Sequence, residues 1–380
     1  MSFNVFGKHS LDIEGPLRLV VVGAGGMGRA WMHTIEADPA TELVGIADLY
    51  PAATEAAAAD LGRDLATGTD AVELAQRTGA HAIVNATIPE AHHPVTIAAL
   101  RAGLPVLGEK PVAATVAEGL ALAAAAELHG HLFMVSQSRR YNRGLFQAKA
   151  QLESLGRIGI VAVDFFKAPH FGGFRDEMDS PLLLDMAIHQ FDMARFLLDA
   201  DPVAVVCEEY NPPWSWYAGN AAATAAFEME GGARFTFNGS WCSPGLETSW
   251  NGAWRVSAEH GSAVWDGEGE PKSEALSGPE SKAAAAEDPG DGIAGSLREF
   301  TAALLHGREP MGRVHANVLS LAMVEAAIRS AAEGRRVPMD EILDGAYESA
   351  LADTADADIL AVLQGWPSVR DGLNRGSRSD

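Results

Sequence analysis

The segment DMAIHQFD holds three residues able to move or hold protons, Asp185, His189 and Asp192, in otherwise apolar surroundings. On an α-helix, spacings of four and three residues set them on one face. A polar row within an apolar helix needs a reason, and imidazole is the side chain best matched to taking up a proton near neutral pH. Earlier in the chain, GEKP places Lys110 directly after an apolar β-type run. An ammonium there can stabilise an oxyanion formed when a neighbouring base removes a hydroxyl proton. Such a pair suits oxidation of a secondary alcohol, provided that a hydride acceptor is bound nearby.

The N-terminal region supplies a place for one. A β-rich run, Leu17 to Val22, leads straight into Gly23-Ala24-Gly25-Gly26-Met27-Gly28, followed by a helical stretch. In a G-x-G-x-x-G between strand and helix, the first glycine allows the tight turn and the second admits a pyrophosphate. The third lets the helix pack closely, while the helix N-terminus attracts negative charge. Asp48 ends the next strand, 20 residues after Gly28, where a carboxylate accepts hydrogen bonds from ribose hydroxyls and repels a 2′-phosphate. NAD is therefore expected, with NADP disfavoured. The competing reading of Asp48 is a cap for the helix near Pro51.

The elements that must position these groups follow from composition and periodicity. At 380 residues, with 47% hydrophobic and 21% charged residues, the chain suits a folded protein of about two domains. Strands are predicted near Leu17 to Val22, Leu43 to Ala47, Ala82 to Asn85, Val106 to Leu107 and Leu132 to Ser136. Helical stretches between them, including 52–61, 94–102 and 116–128, give the alternation of a parallel α/β sheet. After Arg139, Ile158 to Phe166, Ala221 to Glu230, Ala233 to Trp241 and Trp250 to Ala258 predict a largely antiparallel sheet, with Phe235 and Phe237 on its buried face. Residues 266–292 read as a mobile loop, and helices are predicted at 293–306 and 314–333. The resulting division is an arm at 1–16, a dinucleotide-binding domain at 17–137, a substrate and oligomerisation domain at 138–340, and a C-terminal segment at 341–380.

Acidic residues outnumber basic ones 51 to 28, a net charge of −23, and no basic face is gathered for nucleic acid or anionic membrane. Cys207 and Cys242 lie in no metal-ligand spacing, so no metal is expected, and no secretion signal or run of about 18 apolar residues is present. A cytoplasmic location is the expectation. Six of the eight tryptophans fall between residues 211 and 265, where packing or subunit contact is favoured over stacking on sugar rings.

Taken together, GAGGMG, GEKP, SRRYN and DMAIHQFD resemble the glucose-fructose oxidoreductase, inositol dehydrogenase and rhizopine-catabolism (Gfo/Idh/MocA) family. The likeness runs from Leu17 to Met339, closing on GREPMGRVHANVLSLAMVEAAIRSAAEGRRVPM. It implies an α/β protein with an N-terminal Rossmann domain and a C-terminal α/β domain whose open sheet is often used for oligomers. A homodimer or homotetramer is thus expected. It further implies a catalytic group of Lys110, Asp185 and His189, substrate contacts from these and from Asp192, and a cis bond before Pro111. The implied cofactor contacts are Gly23, Gly25, Gly26, Met27, Gly28, Asp48, Thr87, Pro89, His93, Glu109 and Lys110. Before Asp185 the sequence reads Ser180-Pro181-Leu182-Leu183-Leu184, where many members have a glycine-rich approach. The expected activity is hydride transfer between NAD and a sugar, glycoside or cyclitol. Its rivals are an NAD-using glycoside-cleaving enzyme and a non-catalytic NAD(P) sensor.

Overall fold

The computed structural model describes residues 11–276 and 288–374. The chain forms two compact units. In the first, six parallel strands lie in the order β3-β2-β1-β4-β5-β6. They are β1 (Leu17–Val22), β2 (Thr41–Ala47), β3 (Ala66–Gly68), β4 (Ala82–Asn85), β5 (Val106–Glu109) and β6 (Phe133–Ser136). Leu17, Leu19, Val20 and Val21 are fully buried, which is why β1 reads as an unbroken apolar run rather than an alternation. Helices cover the sheet as expected, but Pro89–Arg101 starts five residues before the predicted Pro94. Pro89 takes the first helical turn, and Pro94 sits inside the helix. The short edge strand β3 and the helix Ala71–Thr78, capped by Asp70 on the amides of Val72 and Glu73, are additions to the predicted elements.

In the second unit, eight strands follow the order β13-β12-β11-β7-β10-β9-β8-β14. Their ranges are β7 (Ile158–Phe166), β8 (Pro202–Tyr210), β9 (Ala222–Met229), β10 (Arg234–Ser240), β11 (Ala253–Ala258), β12 (Gly261–Trp265), β13 (Lys272–Ala275) and β14 (Val337–Pro338). Every pairing is antiparallel except β7 with β10. Phe235 and Phe237 are buried on one face, as their alternation predicts. Phe191, from the helix Ile188–Leu198, meets Phe227, Phe237 and Phe235 at ring distances of 4.9, 5.5 and 6.0 Å. On the opposite face Ile160, Val206, Tyr210 and Val264 stay exposed. Part of the stretch predicted as a mobile loop is instead structured. Lys272–Ala275 pairs with β12, because a strand edge offers backbone partners regardless of side-chain polarity. Residues 277–287 of that stretch, like residues 1–10 of the arm, lie outside the described residues.

The predicted divisions run consecutively along the chain, whereas the compact units do not. Asp291–Val318 and the described residues from Leu343 onward join the first unit, and Leu319–Ile342 joins the second. The reason is packing. Val318 sits over Gly119, where a Cβ would come within 3.2 Å of its side chain. Trp366 donates to Glu127 at 3.3 Å, and Glu127 also pairs with His315 at 3.0 Å. Among the described residues, no helix is long and apolar enough to cross a membrane.

Candidate active site

In the first unit the parallel strands send their loops out at one edge, so Gly23, Asp48, Thr87 and Lys110 follow the carboxyl ends of β1, β2, β4 and β5. Gly23 adopts φ +96°, and a Cβ on it would stand 2.6 Å from the Ala86 carbonyl oxygen. A Cβ on Gly28 would be 1.8 Å from the Gly23 carbonyl oxygen. These two glycines allow the fold itself. A Cβ on Gly25 or Gly26 would meet no atom within 4 Å, so their lack of side chains leaves room beside the loop. The helix Gly26–Ala37 has no side-chain cap, and its first amides are free to bind an anion such as a pyrophosphate.

Asp48 accepts from the Ala24 amide at 2.8 Å and the Tyr50 amide at 2.9 Å. It thus ties the glycine loop to the loop after β2. Tyr50 itself, and not Asp48, is the N-cap residue of Pro51–Leu61. A carboxylate has about four acceptor positions, so capacity remains for ribose hydroxyls. Leu49, Tyr50 and Ile88, exposed by 80, 73 and 63%, leave an apolar rim on the same edge. These features fit a dinucleotide.

A buried network joins the next two loops. The Asn85 side chain accepts from the Thr87 hydroxyl at 2.7 Å and donates to the His92 carbonyl and the Thr96 hydroxyl, both at 3.2 Å. The His92 ring reaches the Pro111 carbonyl from Nδ1 at 2.7 Å and the Thr87 carbonyl from Nε2 at 3.1 Å. Burial lowers its pKa, and a neutral ring can donate to only one of the two. His92 therefore links the Thr87 and Lys110 loops. His93, the candidate from sequence, lies half-buried one position on, at the start of the same helix with Pro89. The Lys110–Pro111 peptide is cis, as the resemblance implies. Glu109 points inward: its carboxylate accepts from Trp31 Nε1 at 2.7 Å and from the Lys110 amide at 3.2 Å, and burial raises its pKa. That places it under the turn bearing Lys110, which it anchors through the Lys110 amide.

In the second unit Asp185 lies on a π-helical turn, Leu182–Ala187, which runs into the α-helix Ile188–Leu198 bearing His189 and Asp192. The winding expected to be α-helical throughout is therefore π-helical at Asp185 and α-helical at His189 and Asp192. Asp185 accepts from Arg175 Nε at 2.7 Å, and His189 is buried. Asp192 is 1% exposed and already engaged, accepting from Arg140 Nε and Nη2 at 2.9 and 2.5 Å and from the Ser320 hydroxyl at 2.9 Å. Its oxygens are thus held by protein donors inside the unit.

The tryptophans divide in the same way. Trp241, Trp254 and Trp265 fill the core, while Trp214 is exposed and donates to the Cys242 carbonyl at 2.8 Å. Trp250 differs in that two cations face its ring, Lys167 at 4.8 Å and Arg139 at 5.6 Å. Reading the sequence missed His92, Arg139, Arg140 and Arg175. SRRYN and the paired His92-His93 signalled three of them without giving their roles. Among the described residues no group of His, Cys, Asp and Glu is arranged to hold a metal.

Comparison with known proteins places these features. Residues 17–137 match the model of the oxidoreductase family with an NAD-binding Rossmann fold, GFO_IDH_MocA, and residues 148–264 match the GFO/IDH/MocA C-terminal domain. Inositol 2-dehydrogenase 1 of Saccharopolyspora erythraea is 32% identical over 196 residues, covering 50% of this chain and 56% of that protein. D-apiose dehydrogenase of Paraburkholderia graminis is 26% identical over 85% of this chain and 89% of that protein. The fold is shared with an oxidoreductase from Agrobacterium radiobacter, solved in complex with NAD+, L-tartaric acid and magnesium. It has a TM-score of 0.76 at 22% identity, covering 86% of this chain and 99% of that one. The chain therefore belongs to the GFO/IDH/MocA oxidoreductase family and carries that family's NAD-binding Rossmann domain.

Proposed function

We propose that the protein is an NAD-dependent dehydrogenase acting on a secondary alcohol, or the corresponding ketone, of a sugar, glycoside or cyclitol. The observation that carries this reading is the Lys110 turn at the carboxyl edge of the nucleotide-binding sheet, fixed from below by Trp31 and Glu109 and from the side by His92. Such support fits a group that must present its charge in one place. The dinucleotide, held by the glycine loop and Asp48, supplies the hydride acceptor. His189 takes the hydroxyl proton as the base, Lys110 stabilises the oxygen as it gains negative charge, and Asp185 orients the polar groups around them. Asp192 keeps the helix bearing His189 in position through Arg140 and Ser320.

The exposed apolar residues Ile160, Val206 and Val264 on the open sheet favour a homo-oligomer, which light scattering would measure. The activity is tested with a panel of sugars, glycosides and cyclitols, following NADH absorbance and analysing products. Net NADH with the matching ketone supports the dehydrogenase. Cleaved glycoside without net NADH would point to transient oxidation, and neither would point to a sensor.

A further inference from the structure

Trp250 joins two parts of the second unit. Its carbonyl accepts from Gln190, the residue after His189, at 3.4 Å, and its ring lies 6.4 Å from that of Phe171. Phe171 is 55% exposed and carries Arg175 at 5.4 Å, the same arginine that pairs with Asp185. Arg139, Lys167 and Arg175 thus sit on one aromatic cluster, attached at two points to the segment that bears Asp185 and His189. In a chain of net charge −23 this gathering of cations is a local feature and not an effect of composition.

The three differ in their partners. Lys167 meets Glu247 at 2.8 Å, and Arg175 meets Asp185 at 2.7 Å. Arg139 donates one hydrogen bond, to Asn251 at 3.1 Å, and among the described residues no carboxylate lies within ion-pair distance of it. Glu268, the acidic group whose charge it feels, is bonded to the Ser249 hydroxyl at 2.7 Å. A guanidinium has five N–H donors and no acceptor. The hydroxyls of a neutral sugar are met equally well by carboxylates and amides, whereas a donor-only cation stacked on indole complements an acceptor-only group.

We propose that the substrate is a sugar or cyclitol derivative bearing a carboxylate or phosphate, and that Arg139, braced on Trp250 beside Lys167, binds that anionic group. This rests on the dehydrogenase reading above and narrows its substrate class. The test uses the full-length protein with NAD, titrated calorimetrically and assayed for NADH. The probes are D-glucuronate, D-galacturonate, D-glucose 6-phosphate and myo-inositol 1-phosphate, with D-glucose, D-galactose, myo-inositol and D-glucuronamide as neutral counterparts. At least one anion should bind roughly 10- to 100-fold more tightly than its neutral counterpart, the range of a charged hydrogen bond. Uronates and phosphates separate the two sources of charge. Arg139→Gln should erase the preference, Arg139→Lys should keep part of it, and NAD affinity should be unchanged in both. Anion binding that Arg139→Gln abolishes, without NADH formation from any probe, would uphold the anion site at Arg139 and count against the dehydrogenase reading. Turnover of neutral compounds without anion preference would do the reverse. Equal affinity for anionic and neutral probes, including none for either, or a preference that survives Arg139→Gln, overturns the proposal.

Discussion

Replacing Asp192 with alanine separates its structural role from the substrate contact that the sequence suggests. Asp192 and Arg140 have side chains only 1 and 9% exposed, and the carboxylate receives two hydrogen bonds from Arg140 and one from Ser320. Removing it takes one member from a buried ion pair, a change that costs about 3–5 kcal/mol. Against a total stability of about 5–15 kcal/mol, that is a large share. Asp192→Asn keeps the shape and one acceptor, so it should lose less, about 1.5–3 kcal/mol, the scale of a hydrogen bond to a charged group. Urea unfolding followed by tryptophan fluorescence gives both values. With a slope of about 3 kcal/mol per molar, Asp192→Ala should lower the midpoint by more than about 1 M. A variant as stable as the wild type, with a raised KM and unchanged fold, would refute the reasoning and return Asp192 to the substrate.

The other expectations concern cofactor and pH. NAD should be preferred over NADP by more than about tenfold, because a phosphate about 4 Å from Asp48 meets a few kcal/mol of repulsion at an effective dielectric near 20; Asp48→Ala should narrow the gap in kcat/KM. Gly25→Ala has open space around it and should weaken NAD binding with little change in Tm. Gly28→Ala drives a Cβ into the Gly23 carbonyl and should lower both, as calorimetry and thermal melts would show. Glu209 is pushed up to about 7 by burial, with the Ser180 hydroxyl 3.1 Å away. Its folded pKa lies above the unfolded value near 4.5, so the folded state binds more protons in that window and stability falls as pH rises through it. Glu209→Gln should therefore raise Tm at pH 8, by the equivalent of about 1–2 kcal/mol after allowing for partial exposure, and change it little at pH 4.

What the sequence discloses is what local pattern encodes. LRLVVV and GAGGMG state their strand, turn and helix because buried parallel strands are continuously apolar and the loop admits only glycine at two positions. KSEA carries no such signal, and β13 exists because β12 presents an edge to pair with. The π-helical turn at Asp185 is likewise hidden, since α-helical and π-helical windings share one residue pattern and packing selects between them. His92 and His93 are the same residue type side by side. Only the helix phase, set by a start at Pro89, decides which imidazole turns inward to Pro111 and Thr87. The protein partners of Asp192 cannot be read from sequence because they lie 52 and 128 residues away. An acidic residue one turn from a histidine looks the same whether it faces substrate or a buried arginine.

The most direct test of the central claim is turnover of NAD with the best substrate found, measured for the wild type, His189→Ala, Lys110→Ala and the double variant, with NADH binding followed by fluorescence. If His189 and Lys110 serve one proton-transfer step, each single variant should lose about 10²- to 10⁴-fold in kcat while still binding NADH, and the double variant should be little worse than the poorer single one. Near-normal turnover in either single variant with the cofactor bound would contradict the account.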